Sequence, residues 1–252
     1  LLALLTDFFV SYIPFELEQQ LVTSFNILEE LGVEEELKEE AEEKAVASAR
    51  QTQFYLQSLT DSLLKQNPLP NDMTITVHYR NDELVNAFAT LGGHVIIHRG
   101  LLSKLKSENA LSMVMAHEIE HIRGRHPIRA MGRGVIISLA LLSITGFSDS
   151  SAVETMVGSI GFLSTLSFSR DHEMASDEAA LKLLKDHYGH VEGASQLFKV
   201  LRAEGQSVEF ATFLSTHPLN KDRIDAVSLF IANDMPTLSA LTPLPEFLRE
   251  AF

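Results

Sequence analysis

The order of apolar and polar positions divides the chain into helical and β-rich stretches. Residues Leu28 to Ser58 have the character of a helix, since they contain many glutamates and no proline. The sequence NPLPND at residues 67–72 ends this stretch, because proline and asparagine favour turns. Residues 73–80 (MTITVHYR) then alternate with a period of two, and residues 94–99 (HVIIHR) are a second β-rich run. The pattern predicts that both runs belong to one small sheet.

The second half of the chain is predicted to be helical. Ser107 is suited to cap one helix, and another helix begins near Ser169. Between them lie two apolar stretches, residues 135–147 and 157–168, each shorter than the roughly 20 residues that cross a bilayer. We interpret both as buried or interfacial helices. The sequence STHPLN at residues 215–220 separates the helices that follow.

These elements predict a mostly helical α+β fold with a small sheet. We divide the chain into an N-terminal helical segment at residues 1–70, a central domain at 71–235 and a C-terminal tail at 236–252. The apolar start, residues 1–13, has two interpretations. It is either the end of a removed signal or membrane helix, which would place the protein near a membrane, or a helix packed on the body.

Composition excludes several classes of protein. The 252 residues are 45% hydrophobic, which suits one substantial globular domain. The net charge of −14 repels phosphate backbones and the chain has no basic arm, so nucleic acid is not an expected partner. Because cysteine is absent, disulfides and thiolate nucleophiles are excluded, and any metal ion must bind histidine, aspartate or glutamate.

The helix predicted after Ser107 contains a concentration of ionisable side chains, MAHEIEHIRGRH at residues 115–126. His117 and His121 lie one turn apart on the same face, so both imidazoles can bind one ion. Glu118 falls within an apolar series, where a carboxylate is costly unless a metal-bound water or another cation is its partner. The competing interpretation is a surface helix whose histidines and acids face water.

A third ligand candidate lies downstream in SRDHEMASDEAA, residues 169–180. Glu173 and Asp177 are four positions apart on one face of the helix predicted there. Glu173 could complete the coordination of an ion bound by the two histidines. Asp177 could accept a hydrogen bond from the second nitrogen of a ligand histidine, which would fix the tautomer of that ring.

Four motifs in the same order make the chain similar to a known family. HEIEHIRGRH (117–126) and SRDHEMASDEAA (169–180) occur with NAFATLGGHVIIHRGLL (86–102) and STHPLNKDRI (215–224). Over residues 73–232 the chain resembles the HtpX- and BepA-like zinc metallopeptidases, peptidase family M48, which are gluzincins. The resemblance implies a zincin-like peptidase domain with one Zn²⁺ per chain.

The resemblance also implies roles for individual residues. Glu118 becomes the general base, Asp177 matches the family's acid behind a ligand histidine, and His126 matches a histidine that commonly follows the motif helix. The zinc ligands that it implies are His117, His121 and Glu173.

Two positions depart from the family's usual pattern. Glu120 stands where a small or apolar residue is usual, and Leu91 stands where a proline is frequent before the paired glycines. Glu120 adds negative charge near the zinc helix, but it can turn to solvent or pair with Arg123, three positions along the helix. Neither departure removes a ligand.

Peptide hydrolysis is the reaction expected of this site. Zinc with three protein ligands keeps a fourth position for water, whose proton Glu118 would take and pass to the departing amine. His217 has three possible roles. It could stabilise the charge that builds on the carbonyl oxygen, occupy the fourth position of zinc in a resting form, or merely cap the next helix.

The expected substrate is an unfolded or extended polypeptide. The resemblance implies an edge strand over the cleft, to which such a substrate adds as one more strand. The residues that match this strand are Gly93, His94, Val95 and Ile96. No partner spacing supports His94 or His98 as metal ligands, so we interpret these two as strand residues. By default, the surface histidines are His78, His172, His187 and His190.

Other functions compete with peptide hydrolysis. A non-cleaving, chaperone-like protein on the same fold would hold clients, which suits the acidic helix and the apolar stretches, but the intact ligands and Glu118 favour catalysis. A deformylase-like hydrolase is excluded, because its cysteine ligand is missing. Relatives of this type commonly work in the bacterial envelope, so the resemblance implies a periplasmic or membrane-tethered peptidase of protein quality control.

Overall fold

The computed structural model describes residues 10, 12–33, 43–70, 72–132, 168–204, 211–234 and 240–250. Residues 135–147, nearly all of 157–168 and most of 1–13 lie outside these ranges, so the helices predicted there stay predictions. Among the helices that are described, none combines the length and the hydropathy needed to cross a membrane.

The architecture is mostly helical with one small sheet, as the sequence predicted. The N-terminal elements are α1 (Phe15–Ser24), α2 (Ile27–Glu30) and α3 (Glu43–Leu64). The strands are β1 (Thr76–Arg80), β2 (Ala87–Ala89) and β3 (His94–His98), followed by α4 (Arg99–Leu102) and α5 (Glu108–Arg123). The remaining helices are α6 (Arg170–Tyr188), α7 (Ala194–Glu204), α8 (Ala211–Thr216), α9 (Lys221–Asn233) and α10 (Glu246–Glu250).

Serine side chains fix the starts of α5 and α6. The Ala110 N–H donates to Ser107 Oγ, and the His172 N–H donates to Ser169 Oγ. Each bond satisfies one backbone donor that the first helical turn leaves without a partner. Both helices therefore begin where the sequence predicted.

The helical stretch predicted from Leu28 to Ser58 is not continuous. A turn at residues 31–33 separates α2 from α3, and Gly32 adopts a φ of 67° within it. This left-handed backbone conformation favours glycine at the position. Helix α3 then continues beyond the predicted end, as far as Leu64.

The sheet has the strand order β1-β3-β2. Strand β1 is parallel to β3, with Val77 opposite Val95, and β2 is antiparallel to β3, with Phe88 opposite Ile96. The sequence pattern did not predict β2. All three of its residues are buried, so no alternation of polar and apolar positions marks it as a strand.

One face of the sheet packs on the main hydrophobic core. Val77, Tyr79, Val95 and Ile97 point to this face and lie in one cluster with apolar side chains of α3, α5, α6 and α7. Helix α5 is buried along almost its whole length, from Asn109 to Ile122. The core therefore surrounds the helix that contains H-E-x-x-H.

The C-terminal residues 240–250 pack against the start of α5. The Glu108 N–H donates to the Thr242 carbonyl at 2.9 Å, and the Thr242 N–H donates to Asn109 Oδ1 at 2.8 Å. Leu244 and Leu248 are buried in the main core. This part of the predicted tail thus contributes to the same core as the sheet.

Two glutamines of α3 occupy the outer edge of β1. The Tyr79 N–H donates to Gln53 Oε1 at 2.6 Å, and Gln53 Nε2 donates to the Val77 carbonyl. The Val77 N–H donates to Gln57 Oε1 at 2.9 Å, and Gln57 Nε2 donates to the Ile75 carbonyl at 3.2 Å. These bonds give hydrogen-bond partners to the backbone groups that β1 directs away from β3.

A buried ion pair between Glu18 and Arg125 connects α1 to the end of α5. Arg125, which follows α5 and has a φ of 54°, contacts the Glu18 carboxylate at 2.5 Å. The same guanidinium donates to the Ile13 carbonyl, and Glu18 Oε2 accepts from the Gly92 N–H at 3.4 Å. Helix α1 is therefore tied to the end of α5 and to the turn before β3.

Candidate metal centre

Helix α5 places the three motif residues in the interior of the protein. His117, Glu118 and His121 expose 4%, 0% and 0% of their surface. A surface helix with solvated acids, the competing interpretation, is thereby excluded. Glu173 of α6 is also fully buried, and it faces the two histidines.

The predicted ligand side chains converge on one point. His117 Nε2 and His121 Nε2 are 2.9 Å apart, and Glu173 Oε1 lies 3.2 Å from His121 Nε2. His217 joins them, because its Nδ1 lies 3.3 Å from His117 Nε2 and 3.4 Å from Glu173 Oε1. One donor atom from each of these four residues lies within 4.8 Å of the other three.

Each imidazole has a hydrogen-bond partner on its outer nitrogen. His117 Nδ1 lies 3.0 Å from Asp177 Oδ1, and His217 Nε2 lies 3.2 Å from the Ala87 carbonyl. Because a carboxylate and a carbonyl only accept, these nitrogens donate, so in the neutral rings the lone pairs lie on His117 Nε2 and His217 Nδ1 and face the centre. Asp177 thus occupies the position that the sequence predicted.

The third imidazole has a histidine behind it. His121 Nδ1 lies 2.8 Å from His126 Nδ1, and the His126 ring stacks on His172 with centroids 4.0 Å apart. Burial lowers the pKa of His126 to about 3, so this ring is neutral and can accept the proton of His121 Nδ1. His172, which the sequence analysis interpreted as a surface histidine, thus contacts a residue behind the metal centre.

Arg223 is a site residue that the sequence reasoning missed. Its Nε lies 2.6 Å from Asp177 Oδ2, its Nη2 lies 2.9 Å from Asp177 Oδ1, and its Nη1 lies 2.6 Å from Glu173 Oε2. The same Nη1 donates to the Pro218 carbonyl at 3.0 Å. Arg223 therefore binds one oxygen of Glu173 while the other faces the imidazoles, and it also fixes the backbone beside His217.

The centre has a strongly negative potential. Burial alone would lower the pKa of His117, but the hydrogen bonds to Asp177 and Glu173 outweigh burial and raise that pKa to about 10. Burial opposes ionisation of Glu173, yet hydrogen bonds from the surrounding imidazoles hold its pKa far below the ordinary value. Such a potential favours a bound cation.

Glu118 lies beside the ligands without contacting them. Among the described residues, neither of its carboxylate oxygens has a hydrogen-bond partner, and His217 Nε2 at 3.5 Å is its recorded ion-pair neighbour. A fully buried carboxylate in this state is costly unless a further group binds it. The position suits a proton acceptor for a small molecule held at the centre.

Glu120 does not turn to solvent. It exposes 8% of its surface, and its Oε1 accepts from Arg123 Nε at 3.0 Å. Burial raises the pKa of Glu120, and Arg123 partly offsets this effect. Arg123 also donates to the carbonyls of Asn67 and Pro68, both at 2.8 Å, so the unusual glutamate helps to hold the turn after α3.

The predicted edge strand at Gly93, His94, Val95 and Ile96 was wrong. Strand β3 lies between β1 and β2, so its backbone groups already pair on both sides. Gly93 belongs to the preceding turn with a φ of 82°. A Cβ there would lie 1.9 Å from the Thr74 carbonyl oxygen, which explains the glycine.

The edge strand beside the centre is β2. The His98 N–H donates to the Asn86 carbonyl, and the Thr90 N–H donates to the His94 carbonyl. Residues 86, 88 and 90 therefore direct their backbone groups towards β3. Ala87 and Ala89 therefore direct their N–H and C=O groups away from β3. The contact between the Ala87 carbonyl and His217 shows that this free side faces the centre.

The donor set fits a divalent metal ion. Three imidazole nitrogens and a carboxylate oxygen converge, all four side chains are buried, and a further carboxylate lies beside them. A helix with H-E-x-x-H and a glutamate from a second helix is the arrangement of a gluzincin-type metallopeptidase.

The comparison with protein families agrees with this class. The model of Peptidase family M48 matches residues 50–230, and the chain belongs to this family. Its mostly helical domain with one small sheet agrees with the zincin-like fold expected of this family.

Relatives with assigned names are also metallopeptidases or proteases. Mitochondrial metalloendopeptidase OMA1 of Schizosaccharomyces pombe is 29% identical over 196 residues, which cover 75% of this chain and 56% of the relative. OMA1 of Arabidopsis thaliana is 31% identical over 143 residues, 57% of this chain and 29% of the relative. Beta-barrel assembly-enhancing protease of Escherichia coli is 29% identical over 155 residues, 57% and 32% respectively. The chain thus spans between 29% and 56% of the length of these relatives.

Proposed function

We propose that the protein is a zinc-dependent endopeptidase that cleaves extended or misfolded polypeptides. The observation that supports this best is the convergence of His117, His121 and Glu173 beside the free edge of β2. Zinc suits a ligand set of imidazole and carboxylate without thiolate, and three protein ligands leave a position for chemistry.

The side chains around the centre divide the catalytic work. A bound ion supplies Lewis-acid activation of water and of the scissile carbonyl group. Glu118, which has no competing hydrogen bond, takes a proton from the attacking water and passes it to the leaving amine. Asp177 and Arg223 keep His117 and Glu173 oriented, so neither ligand must reorganise during the reaction.

His217 fits a resting form of the site. Its Nδ1 faces the other ligands, so the ring can occupy the fourth position of a bound ion. Its Nε2 donates to the Ala87 carbonyl, which is then not available to pair with a substrate. Moving His217 aside would free both at once. Of the three roles that the sequence left open, the geometry favours the blocking role over oxyanion stabilisation and helix capping.

The free edge of β2 determines the form of the substrate. An extended chain that pairs with Ala87 and Ala89 uses only main-chain groups, so its recognition depends weakly on side-chain identity. A folded protein cannot present its backbone in this way. Unfolded or damaged polypeptides are therefore the substrate class that we propose, with Ala87 and Ala89 replacing residues 93–96 as the binding strand.

We place this activity in protein quality control of the bacterial envelope, periplasmic or membrane-tethered. The family and the relatives named beta-barrel assembly-enhancing protease support this assignment. Relatives named as mitochondrial metalloendopeptidases favour the alternative of a mitochondrial protein. Fractionation of the source cells with an antibody to this chain would distinguish the two compartments.

Replacing Glu118 with glutamine tests the proposed reaction. The Glu118→Gln variant should bind zinc and unfolded casein as the parent does, while cleavage falls by about 10²- to 10⁴-fold, since the proton acceptor is lost. The matched control is Glu120→Gln, two residues further along the same helix. This variant keeps an acceptor for Arg123 and should retain cleavage. Equal turnover of Glu118→Gln and parent would refute the proposed base. Casein binding without cleavage by the zinc-loaded parent would favour the chaperone-like alternative.

A further inference from the structure

Two histidines outside the metal centre meet across the sheet. His78 of β1 and His94 of β3 approach with His78 Nε2 and His94 Nδ1 at 2.8 Å and ring centroids 5.0 Å apart. In the strand register His94 lies opposite Thr76, two positions from His78, so the contact is a diagonal one. Both strands are paired along their length, which holds the two rings in place.

The pair lies on the side of the sheet opposite the main core. Val77, Tyr79, Val95 and Ile97 face that core, and side chains alternate along a strand, so His78 and His94 face the other way. Neither histidine belongs to the donor cluster of the metal centre. The two sites are therefore separate.

Both rings are neutral near pH 7. Burial, with the neighbouring His94, lowers the pKa of His78 to about 4, and burial lowers the pKa of His94. Among the described residues, no carboxylate pairs with either ring. A neutral imidazole keeps one nitrogen lone pair, so protons do not compete strongly for these nitrogens at physiological pH.

The separation of the two nitrogens matches that of a ligand pair in the metal centre. The distance between His78 Nε2 and His94 Nδ1 is 2.8 Å, and that between His117 Nε2 and His121 Nε2 is 2.9 Å. Two nitrogens each ~2.0–2.1 Å from one tetrahedral ion lie roughly 3.3 Å apart. A small side-chain rotation would open either pair to that distance.

Solvent reaches His78 of the pair through a groove. The groove encloses about 400 Å³ between α3 and β1, and His78 lines it together with Arg50, Gln53, Phe54 and Tyr79. Both histidines are only half-buried. Water can therefore complete the coordination shell of an ion held by two imidazoles.

We propose that His78 and His94 form a second metal site, which binds an exchangeable divalent transition ion of the Zn²⁺, Ni²⁺ and Cu²⁺ class. Two protein ligands bind less tightly than the four donors of the metal centre, so occupancy follows the free ion concentration. An ion there links β1 to β3 and stabilises the folded chain by mass action. This inference goes beyond peptide hydrolysis and does not depend on it.

The test uses the Cu²⁺ complex of iminodiacetate, which has open positions for two imidazoles. Zinc-loaded protein should bind about one equivalent, and pulsed electron paramagnetic resonance should show two histidine nitrogens at the copper. His78→Ala and His94→Ala should each weaken binding by tenfold or more and remove the two-histidine signal. The control is His187→Ala in α6, which should bind copper like the parent.

Two outcomes would overturn the proposal. The first is a parent protein that shows no two-histidine copper signal up to millimolar complex. The second is a signal that survives in both alanine variants, which would place the copper elsewhere. Circular dichroism and melting without metal check that the variants fold, and His78→Gln replaces His78→Ala if that variant does not. The test measures copper binding and not cleavage, so it stays valid if the proposed peptidase activity is refuted.

Discussion

The two outer edges of the sheet differ in the side chains that bind their backbone groups. At β1, Gln53 and Gln57 of one helix bind the backbone groups of residues 75, 77 and 79 that point away from β3. At β2, among the described residues, the recorded side-chain partner of the free backbone is His217, through the Ala87 carbonyl. The partners of the first edge are two side chains outside the metal centre, whereas the partner at the second edge is a side chain that also joins the metal ligands.

The difference bears on how the edge of β2 can accept a substrate, as we propose, without promoting aggregation. Unpaired strand edges attract other chains, and proteins usually block them. The edge of β1 is blocked by several hydrogen bonds from α3. At the buried strand β2, the described residues place a single imidazole hydrogen bond on the free backbone, so displacing that one ring frees the Ala87 carbonyl.

Of the changes that test the two edges, methylating the substrate backbone should have the largest effect. In peptides with one N-methyl group, kcat/KM should fall by about 10- to 100-fold when the methyl lies on a residue that pairs with Ala87 or Ala89, because a hydrogen bond is replaced by a clash. Peptides methylated at the intervening residues are the matched control and should be cleaved normally. If kcat/KM does not alternate with a period of two residues along the series of N-methylated peptides, strand addition at β2 is refuted.

A smaller effect is expected from removing the ring that covers this edge. His217→Ala should raise kcat/KM by several-fold to about tenfold, because the variant frees the Ala87 carbonyl and one metal position. Zinc content, measured by metal analysis, should remain near one per chain, since three ligands are left. A fall in cleavage with unchanged zinc would instead assign His217 to stabilisation of the oxyanion.

The smallest effect is expected at the closed edge. Gln53→Ala and Gln57→Ala should each lower the free energy of unfolding by about 1–2 kcal/mol, since each removes hydrogen bonds to strand backbone. The double variant should also self-associate in sedimentation velocity, because it exposes a strand edge. Gln51→Ala, on an exposed position of the same helix, is the control. Urea titration without a shift would contradict the closing role of these glutamines.

Local sequence signals were sufficient to predict the helices that form the metal centre. A spacing of four residues places His117 and His121 on one face of α5, and Glu173 and Asp177 on one face of α6. A serine caps the start of each helix. Such relations depend on backbone geometry alone. The meeting of the two helices was inferred from the family's motifs, which preserve an arrangement that no spacing within one helix contains.

The features that the sequence did not reveal depend on tertiary contacts. Arg223 lies 46 positions from Asp177. It belongs to the family motif STHPLNKDRI, but the motif alone does not indicate that its guanidinium binds two acids of another helix. Strand β2 is three buried residues, so it has no polar face from which a pattern can be read. His78 and His94 looked like isolated strand residues, because only the parallel register of β1 and β3 brings them together.

The pairing of Glu18 with Arg125 has a consequence for processing of the chain. Loss of α1 would leave the Arg125 guanidinium without its carboxylate directly after the last turn of α5, and the Gly92 N–H without an acceptor. Both changes fall on segments that lead into the metal centre and into β3. Release of a fragment that contains α1 would therefore loosen the two segments that position the ligands of the metal centre and the central strand of the sheet.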